Sequence, residues 1–295
     1  MTLCLAWKQG NDIVFASDSR LKNGEMTASN SATKIFSIKV KIIGTSNSSN
    51  PAESEKLLHY GNFGMCFTGS YLNGSLLADT FGEVLENIQG AEGISDFSIE
   101  NLTDIAFEIY QDVSRKMIEI HRVDGGSSIL IGGFCPEETI PRFYHFFPQQ
   151  NENREIEFVK EEVEINETPF IIGDNNAKRA CQTILDREAS NSEYTPFHAL
   201  REVIRDTSII TVGGNIQAGL FDNHNFRTCG IAEYFEGVDE WGNPTIEQVY
   251  SFRGHSLGLD DSSLRKGNIN IAKTLLNPFD DERMKLFKKN YGDLD

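Results

Sequence analysis

The chain of 295 residues carries a formal net charge of −17, with 24% charged and 39% hydrophobic residues. That length allows one large single-core domain or two small ones, and the acidic balance argues against a nucleic-acid partner or an anionic membrane surface. No apolar run approaches the roughly eighteen residues of a membrane-spanning helix, and the start lacks a basic leader region, its apolar run being broken by Lys8, so no secretory signal is expected.

Leu3 to Lys8 and Asp12 to Ser17 are rich in β-branched, aromatic and small apolar residues, and Gln9-Gly10-Asn11 between them carries turn chemistry. The spacing predicts a hairpin with a short glycine-containing loop. Centred on Gly10, it sets Lys8 opposite Asp12 and Thr2 opposite Asp18, and directly opposed residues share a face. If Met1 is removed, Thr2 becomes the chain terminus and unites a hydroxyl with a free amine, a nucleophile with its own base. Lys22-Asn23-Gly24-Glu25 marks the next turn, and Lys34 opens a third strand ahead of Ile35-Phe36-Ser37-Ile38. A lysine beside a terminal amine lowers its pKa from about 7.7 to 8.0. Asp18 would hold and balance Lys34, and Arg20 would brace the strand end by pairing with a carboxylate.

Gly44-Thr45-Ser46-Asn47-Ser48-Ser49-Asn50-Pro51 reads as a polar loop that either covers the site or is solvated. Tyr60 to Thr68 reads as a strand and Leu72 to Ile88 as a helix. A second helix starts at Ser98 as N-cap, with Leu102, Ile105, Ala106, Ile109, Val113 and Met117 on one apolar face. Ser127 to Phe134, Arg142 to Phe147, Ile156 to Ile165 and Thr168 to Ile172 follow as strands. Asn175 to Glu188 and Pro196 to Asp206 make a second helix pair, with Pro196 suited to a first helical position. Gly214 to Phe221, Phe226 to Phe235 and Gln248 to Phe252 are the last strands, Leu257 to Ser263 a loop, and Asn270 to Leu276 and Asp280 to Lys289 short terminal helices. This order is α+β in class.

Cys4, Cys66, Cys135, Cys181 and Cys229 are odd in number and form no CxxC pair, which fits reduced cytosolic thiols better than disulfides or a zinc site. The six histidines show no HxxxH or HxH spacing and none sits in a GxSxG elbow. No metal and no cofactor is expected.

Thr2, the Asp18-Ser19-Arg20 triplet and Lys34 resemble, in type and spacing, the N-terminal threonine, aspartate, arginine and lysine of proteasome β-type subunits. The opening is most similar to the bacterial proteasome-like proteins called ancestral β-subunits, which are N-terminal nucleophile hydrolases. The resemblance implies a four-layer αββα sandwich, with an insertion near 44–56 and a C-terminal extension near 256–295, and the alternation of segments without a clear linker points to one domain over residues 1–295. It implies attack by the Thr2 hydroxyl on a peptide or amide through an acyl-enzyme, with an oxyanion donor at Gly69 in the segment Gly64 to Ser70. It also implies supporting roles for Asp174, after Phe170-Ile171-Ile172-Gly173, and for Asp206 and Thr211, ahead of Gly213-Gly214. Family members carry serine where Asp174 stands, and their segment between the aspartate and the glycine pair is shorter. A homo-oligomer, ring or helical, follows from the same likeness, with any unfoldase partner unidentified, and the cysteine pattern points to the cytoplasm. A small-molecule amidase and a catalytically silent scaffold subunit remain the alternatives.

Overall fold

The structure, a computed structural model, describes residues 2–24, 26–45, 55–90, 96–188, 194–256 and 274–291. β1 (Leu3–Gln9) and β2 (Asp12–Ser17) form the opening hairpin. Its register differs from the expected one by a residue: Gln9 pairs with Asp12, Lys8 with Ile13 and Cys4 with Ser17. The connection is therefore the two-residue Gly10-Asn11 turn, with Gly10 at φ 59°, and it is not centred on Gly10. Two-residue hairpin turns need positive φ, which glycine adopts without steric penalty.

β3 (Leu21–Asn23) and β4 (Met26–Ser29) pair as a separate ribbon where only a turn was expected. β5 (Ile35–Thr45) and β6 (Glu55–Gly69) are longer than expected, because Gly44 and Thr45 continue the ladder opposite Lys56 and Glu55. The predicted loop is thus shortened at its start, and its remainder at 46–51 lies outside the described residues. Helix α1 (Tyr71–Glu86) is followed by β7 (Ile88–Gly90), so Ile88 belongs to a strand that runs parallel to β5. Helix α2 (Ile99–His121) has Ser98 as its N-cap, the side chain accepting from Asn101 N. Its buried face runs through Leu102, Thr103, Ala106, Tyr110, Ser114 and Met117, and Ile105, expected in the core, is exposed.

The remaining elements are β8 (Ser127–Phe134), β9 (Pro141–Gln150), β10 (Ile156–Val163), β11 (Phe170–Gly173), α3 (Asn175–Glu188) and α4 (Thr195–Arg205). They are followed by β12 (Gln217–Asp222), β13 (Asn225–Val238), β14 (Pro244–Phe252), β15 (His255–Ser256), β16 (Leu275–Leu276) and α5 (Asp280–Tyr291). Leu275 and Leu276, expected to end a helix, instead pair with Gly230 and Ile231 of β13 as a parallel strand. The loop expected at Leu257 to Ser263 and the start of that helix at Asn270 lie outside the described residues.

One sheet runs β11-β1-β2-β12-β13-β14-β15 with β16 also on β13, and a second runs β10-β9-β8-β6-β5-β7. Alternation along β1 sorts its side chains. Leu3, Leu5 and Trp7 join Ala177, Cys181, Phe197 and Leu200 of α3 and α4, whereas Cys4 and Ala6 join Ile35, Cys66, Leu130 and Phe143 of the second sheet. The opposite face of that second sheet packs Met65, Phe67, Ile129 and Ile131 on Leu77, Phe81, Leu102 and Tyr110 of α1 and α2. β1 is thus buried on both faces, which explains its unbroken apolar run. The fold is mixed α+β, and no described helix is long and apolar enough to cross a membrane.

The C-terminal helix is held by charge. Phe279 is fully buried, with the Arg201 guanidinium 4.0 Å above its ring. Both guanidinium nitrogens Nη1 and Nη2 donate to Glu282, the former at 2.6 Å. Burial alone would raise the Glu282 pKa, but hydrogen bonds from His198 and Arg201 hold it down to about 2. A carboxyl depressed on folding stabilises the native state above its unfolded pKa, about 4.3, and loses that contribution as pH falls through the folded value. Amide exchange in α5, measured relative to the intrinsic rate at each pH, is therefore expected to be unchanged from pH 7 to pH 5 and to accelerate between about pH 4 and pH 2. Arg201→Met should bring that acceleration to neutral pH.

Candidate active site

Ser17 ends the second strand, and the chain then turns so that the Asp18 side chain points back toward the first. Asp18 is fully buried, and its two carboxylate oxygens each accept two donors. Oδ1 receives Leu3 N at 3.1 Å and Lys34 Nζ at 2.9 Å. Oδ2 receives Arg20 N and Gly213 N, each at 3.1 Å. An ionised carboxylate offers about four lone-pair sites, so the charge is compensated by one cation and three backbone dipoles. The Lys34 side chain is 2% exposed and that of Asp18 0%. In the observed register Asp18 follows the residue paired with Cys4, so the carboxylate meets the amide of Leu3 rather than standing opposite Thr2.

Thr2 is 3% exposed. Its carbonyl accepts Asp174 N at 3.0 Å, and the N–H on the other side of the same peptide is the one held by Asp18. Both ends of the Thr2–Leu3 peptide are therefore pinned. Gly173, opposite Leu3, sits at φ 140°, and a Cβ there would lie 2.0 Å from the Thr2 carbonyl oxygen. Only glycine allows that approach. The Asp174 side chain turns to α3, its Oδ1 accepting Asn176 N at 2.9 Å and Ala177 N at 3.1 Å as a helix cap.

Arg20 braces the neighbouring loop by donating to carbonyls, not to a carboxylate as expected. Nη1 donates to Val212 O at 3.0 Å and Nε to Asn30 Oδ1 at 3.0 Å, and the guanidinium packs where a side chain on Gly213 would otherwise stand. Gly69 closes β6 at φ 95°, against Gly126 O and beside Ser127. Asp206 is exposed, its Oδ1 accepting Ser208 N and Oγ, which hold its pKa below the usual carboxylate range. Thr211 is half-buried two residues before Gly213. The structure thus gathers Asp18, Lys34 and Arg20 with the Thr2–Leu3 peptide and leaves Asp206 on the surface.

Gln217 is a residue that sequence reasoning missed. Fully enclosed on β12, it accepts Lys34 N at 3.0 Å and donates to Asp18 O at 3.1 Å and Ala32 O at 2.7 Å, tying the three segments together. A single glutamine in a short apolar strand was the available signal. Among the described residues no group of three or more His, Cys, Asp or Glu side chains is placed to hold a metal ion.

No family model matches the sequence, and no curated protein does. The fold is similar to that of Anbu (ancestral beta-subunit) from Yersinia bercovieri, at a TM-score of 0.52 and 16% identity over 77% of this chain and 86% of that one. The likeness is one of fold, and it supports a proteasome-like fold relationship.

Proposed function

We propose that this chain is an N-terminal-threonine amide or peptide hydrolase of the proteasome-like group, working after removal of Met1. The observation that carries the reading is the buried Asp18–Lys34 pair, in which the ammonium and the Leu3 amide share one carboxylate oxygen at the end of the Thr2–Leu3 peptide. In this reading the Thr2 hydroxyl attacks the carbonyl, the Thr2 amine takes its proton and returns it to the leaving amine, and water then hydrolyses the acyl-enzyme ester. The Lys34 charge keeps the terminal amine unprotonated near neutral pH. Gly69 N–H receives the developing oxyanion, a contribution of about 2.7 to 4 kcal/mol per donor. Asp18 and Arg20 hold the frame, with Asp174 and Thr211 at its rim.

The packing of the two sheets on each other and on separate helix pairs favours a four-layer αββα order for one domain. Within it the segment near 44–56 and the stretch from about 256 onward are additions to the common core. We place the protein in the cytoplasm as a homo-oligomer, ring or helical; its five buried, unpaired thiols suit a reducing compartment. The reading is tested by intact-mass measurement of protein from its native cell together with amine labelling of residue 2. Loss of the Met1 mass and a labelled Thr2 amine are expected. A chain that still carries Met1 would move the assignment to a silent scaffold subunit.

A further inference from the structure

Three adjacent strands of the second sheet bring together side chains that the proposed threonine chemistry does not use. Ser128 on β8 lies with its Oγ 2.6 Å from His145 Nε2 on β9, and His145 Nδ1 lies 3.0 Å from Glu161 Oε1 on β10. The register explains the meeting: His145 pairs with Glu161 on one side and with Leu130 on the other, and Ser128 is the diagonal neighbour two residues before Leu130. Diagonal neighbours on one face are within reach of a long or aromatic side chain.

We propose that Ser128, His145 and Glu161 form a second nucleophilic site, independent of Thr2, whose substrate class is the aryl ester. The order of contacts is that of a hydroxyl nucleophile, an imidazole base and a carboxylate that orients it, with the ring's two nitrogens used in the sense the chemistry needs. Leu130 packs in the cluster between the two sheets, which sets Ser128 and His145 on that same face. Accessibility fits the role: Ser128 is half-buried, the His145 side chain 13% exposed and that of Glu161 49%. Aromatic walls stand beside the imidazole, Phe147 stacked at 4.5 Å and Phe170 edge-on at 5.5 Å. They offer a flat apolar seat for an aromatic ring. A phenol-type ester brings a leaving group that departs readily, so it asks less transition-state stabilisation of the site than an amide does.

The step balances without a redox partner. Ser128 Oγ bonds to the acyl carbon as its proton passes to His145 Nε2. Collapse breaks the bond to the aryl oxygen, which leaves as the phenol with that proton. Water then adds to the acyl-serine, its proton passing through His145 to Ser128 Oγ, and the carboxylic acid is released. Burial lowers the His145 pKa, Glu161 holds it up, and the Lys178 ammonium of α3 pushes it down. The imidazole is thus neutral, as a base must be, at physiological pH. None of this needs a free chain terminus.

The test uses 4-nitrophenyl acetate and a fluorophosphonate probe on the full chain and on Thr2→Ala. Turnover and an adduct mapped by peptide mass to Ser128 are expected in both. In the Thr2→Ala background, where the terminal threonine cannot contribute, Ser128→Ala and His145→Gln should each lose about 10² to 10⁴-fold in ester turnover, with unfolding midpoints reported alongside to show that each variant is folded. Glu161→Gln, which acts through the imidazole, should slow turnover and move the acid limb of the pH–rate profile to lower pH. An adduct at residue 2 alone, no adduct at all, or undiminished turnover in a folded chain carrying both Thr2→Ala and Ser128→Ala overturns the proposal. An adduct at residue 2 supports the threonine reading while removing this one, and the other outcomes leave the threonine reading to amide cleavage and the state of residue 2.

Discussion

Replacing Thr2 with alanine is expected to reduce amide cleavage by roughly 10⁶-fold, the scale seen when a covalent nucleophile is removed from a hydrolase. The fold should survive. The contacts that hold residue 2 are made by its backbone, through the carbonyl to Asp174 N and through the following amide to Asp18, and alanine keeps both. Thr2→Ser retains a hydroxyl and an amine on the same residue and should recover a substantial part of the rate. Amide turnover measured beside the thermal midpoint separates the two explanations for a dead variant. Full amide turnover in a folded Thr2→Ala chain would remove the nucleophile from the mechanism.

The second large effect concerns the ion pair beneath the site. Lys34→Ala leaves the Asp18 carboxylate without its cation in a fully buried position. Breaking one partner of a buried pair costs about 3 to 5 kcal/mol. Asp18→Ala should be worse, because it strands the Lys34 ammonium and also orphans the amides of Leu3, Arg20 and Gly213. Each unsatisfied buried donor costs about 1 to 3 kcal/mol, and the total is comparable with the whole stability of a domain, about 5 to 15 kcal/mol. Urea unfolding should therefore rank parent above Lys34→Ala above Asp18→Ala, the last with little folded protein. Equal midpoints for the three chains would show that the pair bears no structural load.

Much of the framework was legible in the residues. The opening hairpin was announced by apolar strands around Gln9-Gly10-Asn11, α2 by Ser98 and its helical apolar spacing, and the start of α4 by Pro196. Register was not legible. A turn of Gly10-Asn11 and one centred on Gly10 have the same composition, yet they differ by one residue in every pair. In this molecule that difference decides that Asp18 addresses the Leu3 amide. Strand ends were also obscure where tertiary pairing overrode local preference, as when Leu275 and Leu276 joined β13.

What the amino-acid sequence determined alone was the local layer: most strands and helices, though not the β3–β4 ribbon or Leu275–Leu276, that Thr2, Asp18, Arg20 and Lys34 crowd the opening, and that the class is α+β. The tertiary structure decided which distant groups meet. Gln217 and Gly213 reach Asp18 across some two hundred residues, and Ser128, His145 and Glu161 meet only because three strands pair in one register. The physical reason is that propensity and periodicity act over a few bonds. The partners of a buried charge are chosen instead by the packing of whole sheets, where every donor and acceptor taken from water must find its match.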